Sequence, residues 1–162
     1  MEAFTTGENP VLHVVTVQVA GERDGCLVGF ATQCSIIPER FLVCLSVLNR
    51  TYELARRADV LAVHRLRTDQ LELARRFGAA RGDEVDKFAG LAWRPGVSGA
   101  PVLEGCAAYL EGSIQSRHPL GDHCGFVLAP LAAAGGGGGG EALRMDAVDF
   151  GAGHPPGELR RA

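Results

Sequence analysis

Residues 30–51 read FATQCSIIPERFLVCLSVLNRT, and the order of residue types in this stretch decides the fold class. The run from Phe41 to Val47 is apolar apart from Ser46 and only seven residues long, so it reads as a buried strand rather than a helix. Before it, Thr32-Gln33-Cys34-Ser35 forms a polar portion between a strand and Pro38, where backbone N–H groups and short hydroxyls can converge on a planar or anionic ligand. The same composition also suits a plain polar loop. After it, Ser46 and the group Asn49-Arg50-Thr51 open a short helix through Arg57. Their hydroxyl, amide, guanidinium and helix-start N–H groups suit a phosphate. Ordinary helix capping by Asn49 or Thr51 is the competing role, and both stay open at this point.

Working outward, the β-branched segment Val11 to Val19 predicts a strand that meets the turn Gly21-Glu22-Arg23-Asp24-Gly25, with Cys26 to Thr32 returning beside it. Val60 to Leu66 predicts a further strand. Thr68 is placed to cap a helix with Leu71, Ala74 and Phe77 on one face and Gly78 as its stop. A shorter helix is expected from Asp83 to Ala89, with Val85 and either Phe88 or Ala89 inward. Ala108, Leu110, Gly112 and Ile114 alternate with Tyr109, Glu111, Ser113 and Gln115, as a strand with one buried face requires. The turn His118 to Asp122 leads into another strand from His123 to Ala132, and a last strand is expected from Ala142 to Phe150.

About seven strands with short turns and a few short helices predict a mainly β, antiparallel fold, a closed or partly open β-barrel. The strand–helix–strand order of a parallel sheet occurs only once. The expected organisation is a flexible N-terminus over 1–10, one domain over 11–150 containing a flexible Gly-rich loop at 135–140, and a flexible C-terminal tail over 151–162.

Composition narrows the function classes. A chain of 162 residues, 46% of them hydrophobic, has the material for one ordinary core. Its formal net charge of -3 lacks the basic surplus of a phosphate-backbone binder, so nucleic acid is not an expected partner. The longest nearly apolar run, FLVCLSVL, falls far short of the roughly 20 residues that span a bilayer. The opening Met-Glu-Ala-Phe-Thr-Thr-Gly-Glu lacks the basic and apolar regions of a secretory signal, so the expectation is a cytoplasmic protein with no membrane partner. The five cysteines, Cys26, Cys34, Cys44, Cys106 and Cys124, read as reduced thiols.

Catalytic signatures of the dinucleotide-fold, P-loop, zincin and hydrolase types are missing. No CxxC or HxxxH spacing supports His118, His123 and Cys124 as metal ligands, so no metal site is expected.

Taken together, these segments resemble the flavin reductase-like, FMN-binding split-barrel proteins. The resemblance rests on Ser35, Pro38, the strand FLVCLSV and Asn49-x-Thr51, followed in order by Asp86-Lys87-Phe88, Trp93-Arg94-Pro95-Gly96, Pro101-Val102-Leu103 and Gly121-Asp122-His123. It covers residues 11–133. Gln33 stands where the family commonly has serine, and Glu39 where it has a second proline.

The resemblance implies a split β-barrel of Greek-key-like antiparallel strands, assembled as a homodimer. It implies an NAD(P)H:flavin oxidoreductase that binds FMN or FAD, takes hydride from NADH or NADPH, and passes reduced flavin to a partner monooxygenase or uses it in place. Thr32, Gln33, Cys34 and Ser35 would hold the flavin ring edge and ribityl chain, and Ser46, Asn49, Arg50 and Thr51 the ribityl and phosphate end. Lys87 would be a further phosphate or nicotinamide partner, or an exposed charge. His123 would sit near the nicotinamide as the catalytic candidate, or serve as a turn histidine bonded to backbone. A flavin- or haem-binding carrier or sensor without turnover is the alternative function.

Overall fold

The computed structural model describes residues 2–79, 85–135 and 140–148, so residues 136–139 of the glycine run and the 151–162 tail lie outside the described residues. A short helix, α1 (Glu2–Thr5), precedes the first strand pair. The β-branched residues of β1 (His13–Val19) return through a two-residue turn into β2 (Glu22–Val28). Ala20 and Gly21 have φ of 52° and 80°, a positive-φ pair suited to the twist of a tight hairpin. The turn is therefore Ala20-Gly21, and Asp24-Gly25, expected to end it, lies inside β2. Gly25 is required there by packing: a Cβ would lie 2.7 Å from Phe77 Cε1 and 2.9 Å from the Val15 carbonyl oxygen.

The strand expected to run on to Thr32 is two strands. β2 pairs with β1, whereas β3 (Ala31–Ile36) pairs with β4 (Glu39–Ser46) at the other side of the sheet. One straight strand cannot follow both ladders, and the chain bends at Gly29, where a Cβ would lie 2.5 Å from Met145 Cε. The remaining elements are α2 (Arg50–Ala55), β5 (Val60–Arg65), α3 (Leu71–Ala79), β6 (Trp93–Pro95), β7 (Pro101–Leu103), β8 (Ala108–Pro119) and β9 (His123–Gly135).

Seven strands form one antiparallel sheet in the order β2-β1-β5-β8-β9-β4-β3, and β6-β7 is a separate hairpin. The ladder is open rather than closed, but the sheet curls until β2 comes against β4. Val15, Val17, Val43, Leu45, Phe126 and Leu128 fill the interior of that curl. Each such side chain contributes about 1.5–3 kcal/mol by leaving water. A second core lies on the outer face of β1, where Leu12 and Val14 meet Ala74 and Phe77 of α3.

Three local expectations are corrected. The middle helix starts at Leu71 and includes Gly78, while Thr68 lies in the preceding turn; Ala74 and Phe77 are buried as the periodicity requires. Residues 80–84 lie outside the described residues. Asp86–Ala89 form a turn in which Asp86 Oδ1 accepts the Phe88 N–H at 2.9 Å, so Phe88 is buried while Val85 and Ala89 are exposed. Over 142–148, in place of a last strand, isolated bridges at Ala142 and Arg144 and a 3-10 turn at Met145–Ala147 occur. Leu143 is held there by backbone bonds to both Leu12 and Leu66, which leaves no partner row for an extended ladder. Among the described residues, no helix is long and apolar enough to cross a membrane.

Candidate functional site

Strand register sorts the predicted residues onto faces. Val43, Leu45, Cys124, Phe126 and Leu128 point into the curl, so the alternate residues of β4 and β9 point outward. Leu42 pairs with Val127, Cys44 with Gly125 and Ser46 with His123, giving a half-buried apolar strip that ends in a hydroxyl and an imidazole. β3 adds Thr32 opposite Leu42 and Ser35 opposite Arg40. Because Thr32 to Ser35 is strand rather than loop, its side chains do not all converge: Gln33 is paired with inward-facing Phe41, and Cys34 sits at the register shift, exposed. Thr32 Oγ1 donates to the Gln33 carbonyl at 3.2 Å, and Gln33 Nε2 donates to the Ser35 carbonyl at 3.2 Å.

At the end of the strip, His123 Nδ1 lies 2.9 Å from Asp122 Oδ1. Its hydrogen bond is to a carboxylate, not to the backbone expected of a plain turn histidine. That bond holds the Asp122 carboxyl below its usual range. The Phe30 ring stands edge-on to His123, with centroids 5.3 Å apart. Ser46 Oγ accepts the Leu48 N–H at 3.4 Å, and Val47 N donates to the Asp122 carbonyl at 3.0 Å, tying the start of the α2 connection to this corner.

Asn49 occupies the N-cap of α2 with extended backbone but makes no side-chain cap bond; its side chain lies instead against the buried Cys26 thiol. Arg50 reaches Glu22, with Nη2 2.8 Å from Oε2. Thr51 and Lys87 are brought together, but inside the protein: Thr51 Oγ1 donates to Asp24 Oδ2 at 2.9 Å, and Lys87 Nζ lies 3.3 Å from Asp24 Oδ1. Lys87 also donates to the Gly25 carbonyl at 2.7 Å and is 5% exposed, so it is not the exposed charge considered above.

The sequence reading gave no binding role to several groups on the same outer face, among them His118, expected in a turn but standing in β8. Ser116 pairs with Val127 and His118 with Gly125, and Ser116 Oγ lies 2.8 Å from His118 Nε2. Phe30, 59% exposed, was also missed. An aromatic just before a polar strand is a faint signal, and the β8 groups become visible only once the β8–β9 register is known. Among the described residues, no group of three or more His, Cys, Asp or Glu side chains could hold a metal ion. A separate cavity of about 160 Å³ lies toward the other end of the sheet between His13, Phe41, Val63, Arg65 and Tyr109.

An apolar floor two strands wide, edged by hydroxyls and closed by a carboxylate-held imidazole, could hold a planar ring system with polar edges, and it is carried on an open antiparallel sheet. The chain belongs to the family of the flavin reductase like domain, whose model matches residues 7–147. It is 36% identical over 105 residues to the reductase subunit HsaB of a flavin-dependent monooxygenase from Mycobacterium tuberculosis, covering 62% of this chain and 54% of that protein. The chain thus spans about half the length of this curated relative. Among solved structures, it superposes on the Streptomyces globisporus NADH:FAD oxidoreductase SgcE6 in complex with NAD and FAD fragments, with a TM-score of 0.79 and 27% identity, covering 92% of this chain and 88% of that one. An FMN-binding protein from Thermus thermophilus gives a TM-score of 0.82 at 28% identity, covering 90% and 86%.

Proposed function

We propose that the chain is an NAD(P)H-dependent flavin reductase that binds FMN or FAD across the outer face of β3, β4 and β9 and supplies reduced flavin to a partner monooxygenase. The observation that carries this reading is the Asp122-held His123 at the end of the strip formed by Leu42, Cys44 and Val127. The donor set fits a flavin: the strip matches the apolar benzenoid portion, and the hydroxyls of Thr32, Ser35 and Ser46 match a polar ring edge and ribityl chain. When bound, the flavin supplies the hydride acceptor and the nicotinamide the hydride, so the protein needs no nucleophile of its own.

The residues then orient and shield. The strip excludes water from one ring face, and Asp122 fixes which His123 nitrogen carries the proton, leaving Nε2 to meet the second substrate. Thr51 and Lys87 shape the site from behind by pinning α2 and the 86–89 turn onto Asp24. The reading includes a homodimer and a cytoplasmic setting, where NADH and NADPH are available.

Oxidation of NADH and NADPH is to be followed with FMN or FAD added, alongside flavin fluorescence titration. Saturable binding of at least one flavin, together with flavin-dependent nicotinamide oxidation, is expected. Flavin binding without oxidation would assign the carrier or sensor role instead, and no binding at micromolar flavin would overturn the reading altogether.

A further inference from the structure

We propose that the end of the curl away from His123 is a binding site for a small monocyclic aromatic carboxylate of benzoate size, separate from the outer strip. The site is built by two rungs of the sheet. His13 on β1 pairs with Arg65 on β5, which pairs with Ala108 on β8, and one rung deeper Val15, Val63 and Leu110 pair in the same order. Directly paired residues share a face of the ladder, so these side chains all stand on the inner face, the deeper rung belonging to the core. Ala108 contributes only a methyl group between longer neighbours, and Phe41 of β4 forms a further wall, leaving a cavity of about 160 Å³. An apolar cavity of about 150 Å³ takes up a benzene ring. The space therefore admits one six-membered ring and excludes the fused ring system of a flavin.

The rim supplies the charge. Arg65 is exposed there, and among the described residues its guanidinium has neither an ion-pair nor a hydrogen-bond partner. His13 stands beside it, its ring edge-on to Phe41 with centroids 6.1 Å apart. The His13 Nδ1 is shielded from solvent and makes no hydrogen bond. Burial, with Arg65 adding to it against the pull of the Val11 carbonyl, pushes this imidazole down to about 4, so at neutral pH Arg65 is the charged member of the pair. A carboxylate answers both groups: it pairs with the guanidinium fork and accepts from Nδ1 in the tautomer that carries the hydrogen there. Its ring fills the space against Phe41, Val63 and Leu110. An inorganic anion would leave that space empty, and a neutral ring would leave the guanidinium unpaired.

The test titrates the full chain with benzoate, benzyl alcohol and acetate by calorimetry, maps the benzoate complex by amide chemical shifts, and repeats the benzoate titration on Arg65→Gln and Ala108→Leu. Benzoate is expected to saturate with a Kd of about 0.1–1 mM and to shift the amides of His13, Val63, Arg65 and Leu110. Benzyl alcohol, which lacks the charge, and acetate, which lacks the ring, are each expected to bind at least about tenfold more weakly. Arg65→Gln is expected to weaken benzoate by about tenfold with benzyl alcohol unchanged, and Ala108→Leu, which keeps the guanidinium but fills the cavity, to abolish saturation. Arg65 is exposed, so its variant is expected to fold, and shift mapping on the unmutated chain locates the ligand even if Ala108→Leu does not fold. No saturable benzoate binding up to about 10 mM, acetate binding as tightly as benzoate, unchanged benzoate affinity in Arg65→Gln, or shifts at Leu42, Cys44 and Val127 in place of the cavity residues would each overturn the site. None of these outcomes depends on whether the outer strip holds a flavin.

Discussion

Lys87, the chain's lone lysine, is placed against Asp24 with both side chains buried, the ammonium completed by the Gly25 carbonyl and the carboxylate by the Thr51 hydroxyl. A buried pair of this kind adds little net stability relative to an apolar isostere, but removal of one partner strands the other in a low dielectric. Lys87→Met is therefore expected to destabilise the protein by about 3–5 kcal/mol, read as a lower urea midpoint. Because Lys87 faces away from the outer strip, flavin affinity in whatever fraction stays folded should be close to that of the parent. A variant with parental stability and lost flavin binding would instead make Lys87 a ligand contact. His123 lies at the same scale but has the opposite logic: its carboxylate partner Asp122 is at the surface rather than in the core.

The β6-β7 hairpin illustrates how polar side chains of one element locate another. Thr16 on β1 donates its hydroxyl hydrogen to the Pro101 carbonyl. His64 on β5 donates through Nδ1 to the Val14 carbonyl at 3.0 Å and accepts the Leu103 N–H on Nε2 at 3.0 Å. Glu111 on β8 receives the N–H groups of Val97 and Ser98, each at 3.0 Å, and the Ser98 hydroxyl. Gly96 is needed for that approach, since a Cβ there would lie 2.2 Å from the Glu111 carboxylate. Burial pushes His64 down to about 4, against the opposing pull of Val14 and Glu111, and burial likewise puts His13 at about 4. Desolvation raises the Glu111 carboxyl, but the bonds from Ser98 and Val97 outweigh it and hold it below its usual range. Since the unfolded chain takes up histidine protons near pH 6.5 and the folded one only near 4, the unfolded state binds more protons in between. Stability is then expected to fall as pH drops through that window, by about 3 kcal/mol for His64 alone. The Glu111 contribution is lost lower still. Urea midpoints from pH 7 to 4 should show the decline, and His64→Leu should be less stable at pH 7 yet have a shallower slope. An equally steep slope in His64→Leu would refute the role of this imidazole.

At the scale of the whole molecule, the sheet leaves β2 and β3 as its two edges, and β3 ends at Ile36, followed in the turn by Ile37; these are 76% and 91% exposed. An uncovered strand edge with an apolar tip is a poor monomer surface. A self-complementary two-fold contact would cover it in both copies at once. Light scattering at low concentration is expected to report about twice the 17.1 kDa chain mass, and a mass near 17.1 kDa would contradict the dimer. Ile37→Lys offers a second check, since a charge at the most exposed of these positions should shift the protein toward monomer if the tip is buried between copies.

What the sequence determined by itself was whatever short-range pattern controls: the alternation and β-branching that make β1, β5, β8 and β9, the apolar run of β4, and the apolar face of α3 that buries Ala74 and Phe77. The ordered landmarks also sufficed to place the chain in its family. The tertiary structure alone decided which polar groups turn outward to the strip and which turn into the core. Thr51, Lys87 and Ser46 are all polar residues beside apolar ones in the chain, yet the first two turn inward to Asp24 and the third lies on the outer strip. That sorting depends on the β4–β9 register and on Asp24 arriving from β2, contacts between residues tens of positions apart. The corner of Phe30 and His123 has the same origin: residues 93 positions apart in sequence meet because β4 lies between β3 and β9 in the sheet.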